Sequence, residues 1–356
     1  MMYKILAINP GSTSTKIALF ENEKNIFTKT IDHNVDELEK YEKVQDQFEM
    51  RKEAVIKALE ENNYKTTDLS AVVGRGGILP PVKSGAYKVN ETMVKRLSQN
   101  PILEHASNLG ALIAYEIAKP LDILACIYDS VAVDEMQDIA RVSGMPEIKR
   151  SSFSHALNSR AMAIKTALKY DKKYKDLNMI VAHLGGGISV SVHQKGQMID
   201  IISDDEGPFS PERAGRVPCK KLIDLCFSGE YDKRTMHKKL RGKGGLKAYL
   251  NTVDAREVEK LIEQGNEEAK VIYEAMAYQI AKGIGELATV VNGDVDYIII
   301  TGGIAYSKMF TKWILNRVKF IADVEIMPGE HELESLALGA LRVLNNEEEA
   351  REYKEE

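Results

Sequence analysis

Short apolar runs broken by glycine-rich polar turns dominate this chain, and they predict most of its elements. Ile5 to Ile8 is apolar, stops at Asn9-Pro10-Gly11, passes through Ser12-Thr13-Ser14-Thr15-Lys16 and resumes over Ile17 to Phe20. That spacing predicts strand, tight polar turn, strand, with a third strand over Ile26 to Ile31 after the turn Asn22 to Asn25. Val35 to Glu61 carries Leu38, Tyr41, Val44, Phe48, Val55, Ile56 and Leu59 at helical spacing, which predicts one amphipathic helix. Leu69 to Val73 predicts a buried strand running into Gly74-Arg75-Gly76-Gly77. Helices over Glu91 to Ser98 and Ser107 to Ile117 then precede a strand, Ile123 to Tyr128, that ends at Asp129.

The opening pattern returns later in the chain. Met179 to Ala182 is an apolar strand, His183-Leu184-Gly185-Gly186-Gly187 a glycine turn, Ile188 to Val192 a second strand and Met198 to Ile202 a third. A further glycine junction follows the long amphipathic helix Glu267 to Asn292. There the buried strand Tyr297 to Ile300 ends in Thr301-Gly302-Gly303, before a helix over Ser307 to Phe320. Two such three-strand units argue for an α/β protein of two similar domains holding a nucleotide in the cleft between them. The loop signal Ser143-Gly144 before Pro146 marks the neighbourhood of the change. The expected domains are 1–135, completed by a C-terminal helix over 333–356, and 136–332.

Composition narrows the class. At 356 residues, 44% of them hydrophobic, the chain can build two sizeable cores. A net charge of −5 and the lack of a Lys/Arg block argue against nucleic acid as a partner. Cys126, Cys219 and Cys226 have neither a paired framework nor metal spacing and are expected to be free thiols of a reducing compartment. No signal-peptide apolar region or membrane-length run is present, so a soluble cytoplasmic protein is expected. The acidic tail Glu347 to Glu356 reads as a solvated helix end.

Several residues carry candidate chemistry. Gly11 lets a ligand approach the backbone, Ser12, Thr13, Ser14 and Thr15 add hydroxyls, and Lys16 adds a cation, which are the parts of a phosphate cradle. The same hydroxyls can instead satisfy the amides of a hairpin turn. Arg75, flanked by glycines at a strand end, is placed to meet a ligand. Asp129 sits where ligands bind α/β sheets, or caps the next turn. His155 opens the helix Leu157 to Tyr170 and is either structural or catalytic. Neither GxxxxGK[ST] nor a strand-linked GxGxxG occurs, which argues against P-loop and Rossmann sites.

Taken together, NPGSTSTK, GRGG, EHASNLGA, HLGGGIS, SPERAG, DARE and TGGIA, in that order, resemble the butyrate kinase branch of the acetate kinase family. The resemblance spans nearly the whole chain and implies duplicated actin-like (ribonuclease H-like) ATPase domains of the actin/sugar kinase/Hsp70 superfamily. It implies reversible phosphoryl transfer between ATP and butyrate, giving ADP and an acyl phosphate by in-line displacement, with Mg²⁺ as cofactor and a homo-oligomer, dimer or higher. Branched-chain, propionate or acetate kinase is the alternative within the family. A sugar-kinase-like or Hsp70/actin-like ATPase lies further off.

The resemblance also implies roles for particular residues. Arg75, Asp129, His155 and Arg213 are the catalytic set, with Arg216 as a competitor for Arg213. Asn9, Gly11, Ser12, Thr13, Ser14 and Lys16 form a first phosphate loop, and His183, Gly185, Gly186 and Gly187 a second. Asp254 and Arg256 contact the adenosine, with Gly302 and Gly303 beside the adenine. Arg75, Gly77, His105 and Ser154 meet the substrate. Glu332 and Asp129 hold the metal, with Glu330 competing for the place of Glu332. Acetate kinases carry valines where Gly76 and Gly77 follow Arg75, and nearer relatives carry phenylalanine at Ser154. Both changes are expected to open room for a longer acyl chain.

Overall fold

A computed structural model of the chain describes residues 1–203 and 205–355, so Glu356, the last residue of the expected C-terminal helix, lies outside it. The chain divides into two compact units, residues 1–134 with 331–356 and residues 135–330. Twelve strands occur among the described residues: β1 (Lys4–Pro10), β2 (Ser14–Glu21), β3 (Lys24–Asp32), β4 (Ala71–Gly74), β5 (Ala86–Lys88), β6 (Leu124–Tyr128), β7 (Met179–Leu184), β8 (Ile188–Gln194), β9 (Gln197–Ile202), β10 (Tyr297–Gly302), β11 (Asp323–Pro328) and β12 (Arg351–Glu352).

The first unit holds a seven-stranded sheet of order β12-β5-β6-β4-β1-β2-β3, and the second a five-stranded sheet of order β11-β10-β7-β8-β9. The duplication is visible strand by strand. β1, β2 and β3 form an antiparallel meander and β4 joins β1 in parallel; β7, β8 and β9 form the same meander and β10 joins β7 in parallel. Each meander shifts register once, between Leu19 and Phe20 and between Val192 and His193. β1 and β7 are buried on both faces, which explains why their sequences are continuous apolar runs without alternation. Burying each such Ile or Leu contributes about 1.5–3 kcal/mol.

Helices cover the sheets where their apolar stripes demand it. Glu267–Ala288 begins at Asn266, whose side chain accepts the Ala269 N–H, and buries Tyr273, Met276, Ile280, Ile284 and Leu287 against the second sheet. The continuous helix expected over Val35 to Glu61 is broken. One turn, Val35–Leu38, buries nothing, a 3₁₀ turn follows over Val44–Gln47, and the helix proper is Phe48–Glu61. Asp46 accepts the Lys43 N–H at 2.9 Å, so a side chain competes for the amide that a continuous helix would use.

The expected helical tail is also corrected. The helix Glu332–Leu344 stops before Asn346, whose φ of 60° is left-handed, and β12 then pairs with β5. Glu348 turns inward, accepting from the Tyr128 hydroxyl at 2.6 Å, while Ala350 and Tyr353 are buried. The tail is therefore part of the first unit's sheet and not a solvated helix end. The three cysteines are free thiols, and burial pushes Cys126 up to about 12. Among the described residues, no helix is long and apolar enough to cross a membrane.

Candidate active site

In the first unit the candidate groups gather around the turn between β1 and β2. The Gly11 N–H donates to Ser14 O at 2.7 Å and closes the turn. Its carbonyls face the protein. Arg51, wholly buried in the helix Phe48–Glu61, donates from Nη1 to Gly11 O at 2.9 Å and Ser14 O at 3.2 Å, and from Nη2 to Ser12 O at 2.9 Å. The His33 N–H donates to Thr13 O at 2.9 Å. Ser12, Thr13 and Lys16 stay exposed, and the Ser12 and Thr13 N–H groups donate to no other group among the described residues.

Thr15 departs from the cradle expected of the four hydroxyls. It is buried, accepts from Arg51 Nη1 at 3.1 Å and lies 2.8 Å from His33 Nε2. Burial first, and the Arg51 charge second, hold His33 below its ordinary pKa.

Beside this turn, three motifs far apart in the chain meet. Arg75 follows β4, donates its N–H to Ile8 O at 2.8 Å and directs its guanidinium to Glu332 Oε1, with Asn9 Oδ1 at 3.5 Å. Asn9 Nδ2 donates to the other Glu332 oxygen. Glu332 is the first residue of its helix, where the dipole favours an anion. Asp129 is buried at the end of β6 with a φ of 42° and accepts the Gly85 N–H at 2.7 Å. His105 is exposed, with Nδ1 2.8 Å from Ser107 Oγ at the entry to the helix Asn108–Ala118.

Gly76 and Gly77 do not open a pocket. A Cβ at Gly77 would lie 2.4 Å from Asn108 Oδ1 and 2.7 Å from Asn108 Cα, and one at Gly76 would lie 2.6 Å from Ser130 Cβ. The space that the valines would fill is taken by the helix entry and by Ser130. These glycines permit close packing of the strand end against the helix entry.

In the second unit the turn Leu184 to Gly187 occupies the equivalent place between β7 and β8. His183 is buried at the end of β7 and stacks on His155, ring centres 4.0 Å apart and planes 17° from parallel. His155 caps the helix Ala156–Lys169 with Nδ1 2.9 Å from Ser189 Oγ, and His183 Nδ1 lies 2.9 Å from Asn158 Oδ1. Around them Ser154 Oγ, Asn158 Nδ2 and Ser159 Oγ are buried without a hydrogen-bond partner among the described residues. Leaving such groups unmet costs about 1–3 kcal/mol each, so this corner is built to receive acceptors.

The two competing arginines separate. Arg213 lays its guanidinium against Gly187, where a Cβ would lie 2.2 Å from Nη1. Arg216 turns to the surface, donating to Glu206 O at 2.7 Å and pairing with Glu286 at 3.1 Å. The two glutamates separate as well. Glu332 belongs to the Arg75 cluster, while Glu330 lines a cavity of about 740 Å³ in the second unit.

That cavity also collects Gly185, Gly186, Asp254, Arg256, Gly303 and Ser307. Asp254 accepts the Arg256 N–H at 2.9 Å, capping the helix Ala255–Glu263, and the Arg256 guanidinium holds its carboxyl down at about 2. Gly302 has a φ of 93° and packs where a Cβ would meet Leu184 O at 2.4 Å, while Gly303 is open to the cavity. A second cavity, about 620 Å³, lies under Leu222, Leu225, Met236 and Tyr249, and Ala214 and Arg216 also line it.

Asn158, Ser189 and Arg51 were not legible as site residues, since each is recognised by what it touches across the fold. For Arg51 one signal exists: a cation on the apolar stripe Phe48, Val55, Leu59. Among the described residues no three His, Cys, Asp or Glu side chains converge as a metal cage.

Glycine turns between antiparallel strands, repeated in two like sheets, with cations and histidines brought to them, define a duplicated α/β fold of the actin-like class. The chain belongs to the acetokinase family, whose sequence profile matches residues 148–337. It is 51% identical to butyrate kinase 2 of Clostridium acetobutylicum, over 99% of this chain and 100% of the relative. In fold it is similar to the acetate kinase of Porphyromonas gingivalis (TM-score 0.80, 18% identity, 96% of this chain and 100% of that one). The propionate kinase of Francisella tularensis is also similar (TM-score 0.75, 18% identity, 95% and 99%).

Proposed function

We propose that the protein is an ATP-dependent carboxylate kinase acting on butyrate, with ADP and butyryl phosphate as products and the reaction reversible. The observation that carries this is the 51% identity to a butyrate kinase along the full chain. The geometry supports it, because an arginine is brought to each glycine turn, Arg75 to the first, where Glu332 accompanies it, and Arg213 to the second. A carboxylate nucleophile, with a pKa of about 4 to 5, is already ionised at neutral pH and needs no base. It needs its charge, and that of the phosphates, neutralised.

In the proposed reaction a carboxylate oxygen attacks the terminal phosphorus of ATP, the new O–P bond forms as the bridging bond to ADP breaks, and no proton moves. Arg75 and Arg213 offer planar forks to the carboxylate and to the phosphoryl oxygens. His155, oriented through Ser189, donates to the phosphoryl group in flight. Asn9, Gly11 to Ser14 and Lys16 are assigned to phosphate binding, as are His183 and Gly185 to Gly187. The 740 Å³ cavity, of a size that suits a nucleoside, takes the adenosine beside Asp254, Arg256 and Gly303, with Gly302 preceding Gly303 at the end of β10. His105 and Ser154 stand beside the acid.

Mg²⁺ would supply further neutralisation of the phosphates. Asp129 and Glu332 are the carboxylates assigned to hold it, in keeping with an ion that takes one or two protein carboxylates beside phosphate oxygens and water. The same reading makes 1–135 with the C-terminal segment one ATPase domain and 136–332 the other. It also describes a cytoplasmic homo-oligomer with no nucleic-acid or membrane partner, supported by the charge of −5 without a basic block.

The test is incubation with ATP, Mg²⁺, hydroxylamine and acetate, propionate, butyrate, isobutyrate or valerate, reading the hydroxamate formed. Butyrate is expected to give the highest kcat/KM. A maximum at another acid would reassign the substrate within the family, and no hydroxamate from any acid would remove the carboxylate kinase reading.

A further inference from the structure

A buried cation without a counter-charge underlies the first glycine turn. Arg51 is 0% exposed, yet no carboxylate lies within ion-pair distance of it among the described residues. Its acceptors are all neutral. They are Gln47 Oε1, at 3.1 Å from Nε and 2.9 Å from Nη2, the carbonyls of Gly11, Ser12 and Ser14, and Thr15 Oγ1. Hydrogen bonds satisfy the guanidinium's donors, but they leave its charge in place, and burying an unpaired charge is costly.

We propose that Arg51 is the positioning residue of the phosphate loop, acting in two ways. It draws the loop carbonyls inward, which turns the Ser12 and Thr13 N–H groups outward as an anion nest. Its unneutralised charge then finds its counter-charge in the phosphate that the nest receives. The chemistry recognised is a polyphosphate, and the inference rests on the reading of this turn as a phosphate loop. Gln47 is the second part of the device: a glutamate there would be nearly isosteric and would accept the same bonds, but would cancel the charge.

Calorimetric titration of the full chain with inorganic tripolyphosphate at fixed ionic strength separates this from a purely structural role. Gln47→Glu is expected to weaken tripolyphosphate binding about tenfold or more while thermal stability holds or rises. In turnover the same variant raises KM for ATP and leaves KM for the acid unchanged. Arg51→Met is expected to weaken binding at least as much, and Arg51→Lys, which keeps the charge without the fork, to recover part of it. A folded Gln47→Glu that binds like wild type overturns the proposal. Should that variant not fold, equal binding by Arg51→Lys and Arg51→Met overturns it, and tighter binding by the lysine variant supports it. Wild-type protein that ignores tripolyphosphate also overturns it. Protein that shows these dependences but forms no hydroxamate from ATP and butyrate retains the Arg51 assignment and loses the kinase reading.

Discussion

The two glycine turns occupy equivalent places in two like sheets and are held by opposite means. Between β1 and β2 the turn is pinned from beneath by a side chain, Arg51, that takes three of its carbonyls. A Cβ at Gly11 would meet nothing closer than Ser14 O at 3.4 Å. Between β7 and β8 a single hydroxyl takes one carbonyl, Ser210 Oγ donating to Gly186 O at 2.7 Å, and Gly187 is bare so that the Arg213 guanidinium can lie against the backbone, where a Cβ would come within 2.2 Å of it. One turn is shaped by a buried cation that sequence pattern assigns to a helix, the other by one hydroxyl and by the room that a missing side chain leaves for Arg213. Glycine thus carries different weight in the two, although both stretches read alike.

Alanine at each turn is the sharpest way to break the comparison. Gly187→Ala is expected to displace Arg213 and lower kcat about a hundredfold or more, as removal of one transition-state donor does, and Arg213→Ala should match it. Gly11→Ala has room and should change kcat less than about threefold. Equal losses at the two glycines would mean that the turns are held alike after all.

The charged flank of the first turn gives the next effect. Glu332→Gln removes a carboxylate that Arg75 and Asn9 hold in place, and the Mg²⁺ concentration for half-maximal activity should rise between about 10- and 100-fold. Glu330→Gln, in the cavity of the second unit, is the control. The reverse pattern would move the metal ligand from one unit to the other.

What the sequence makes legible follows from the range of the interactions involved. β1 and β7 announce themselves because both faces are buried, and the glycine turns because glycine interrupts an apolar run. The break after Leu38 does not, since Asp46 capping Lys43 looks in sequence like any charged helical residue. The inward turn of Glu348 depends on Tyr128, far away in the chain. At the candidate site the same division holds. Arg75, His155 and the glycines are marked by local motifs, whereas Arg51, Asn158 and Ser189 are marked only by partners on other elements. Gly76 and Gly77 show the limit most plainly: a glycine reports a missing side chain, and only the fold shows that Asn108 and Ser130 fill the space.

Ser154 of the second unit, buried with its hydroxyl unmet, is a place where acyl selectivity can be tested. Two methylenes at about 0.8 kcal/mol each separate butyrate from acetate by up to about fifteenfold. Ser154→Phe is expected to remove most of that ratio in kcat/KM while sparing acetate. A uniform fall across acetate, propionate, butyrate and valerate would take Ser154 out of the acyl site.

The smallest effect concerns two buried histidines, one in each unit. His33 lies under the first turn, and His193 sits on β8, 2.6 Å from the Tyr174 hydroxyl and 2.8 Å from Ser191 Oγ. Both are held below the ordinary value through burial first and a nearby cation second, Arg51 for His33 and Arg160 for His193, which is brought to about 3. The sign follows from proton counting. Between about pH 6.5 and pH 3 the unfolded chain protonates His193 and the folded protein does not, so the unfolded state binds more protons and stability rises with pH. The contribution is complete above the unfolded value and is lost as pH falls through that window, at up to about 1.4 kcal/mol per pH unit. Urea unfolding at pH 7.0 and 5.5 should therefore show wild-type protein losing about 1 kcal/mol more than His193→Gln. His33→Gln should reduce the acid loss in the same direction, but it also disturbs Thr15 and the first turn, so its KM for ATP should rise where that of His193→Gln stays unchanged. Matching acid slopes in wild type and His193→Gln would show that His193 does not resist protonation in the fold.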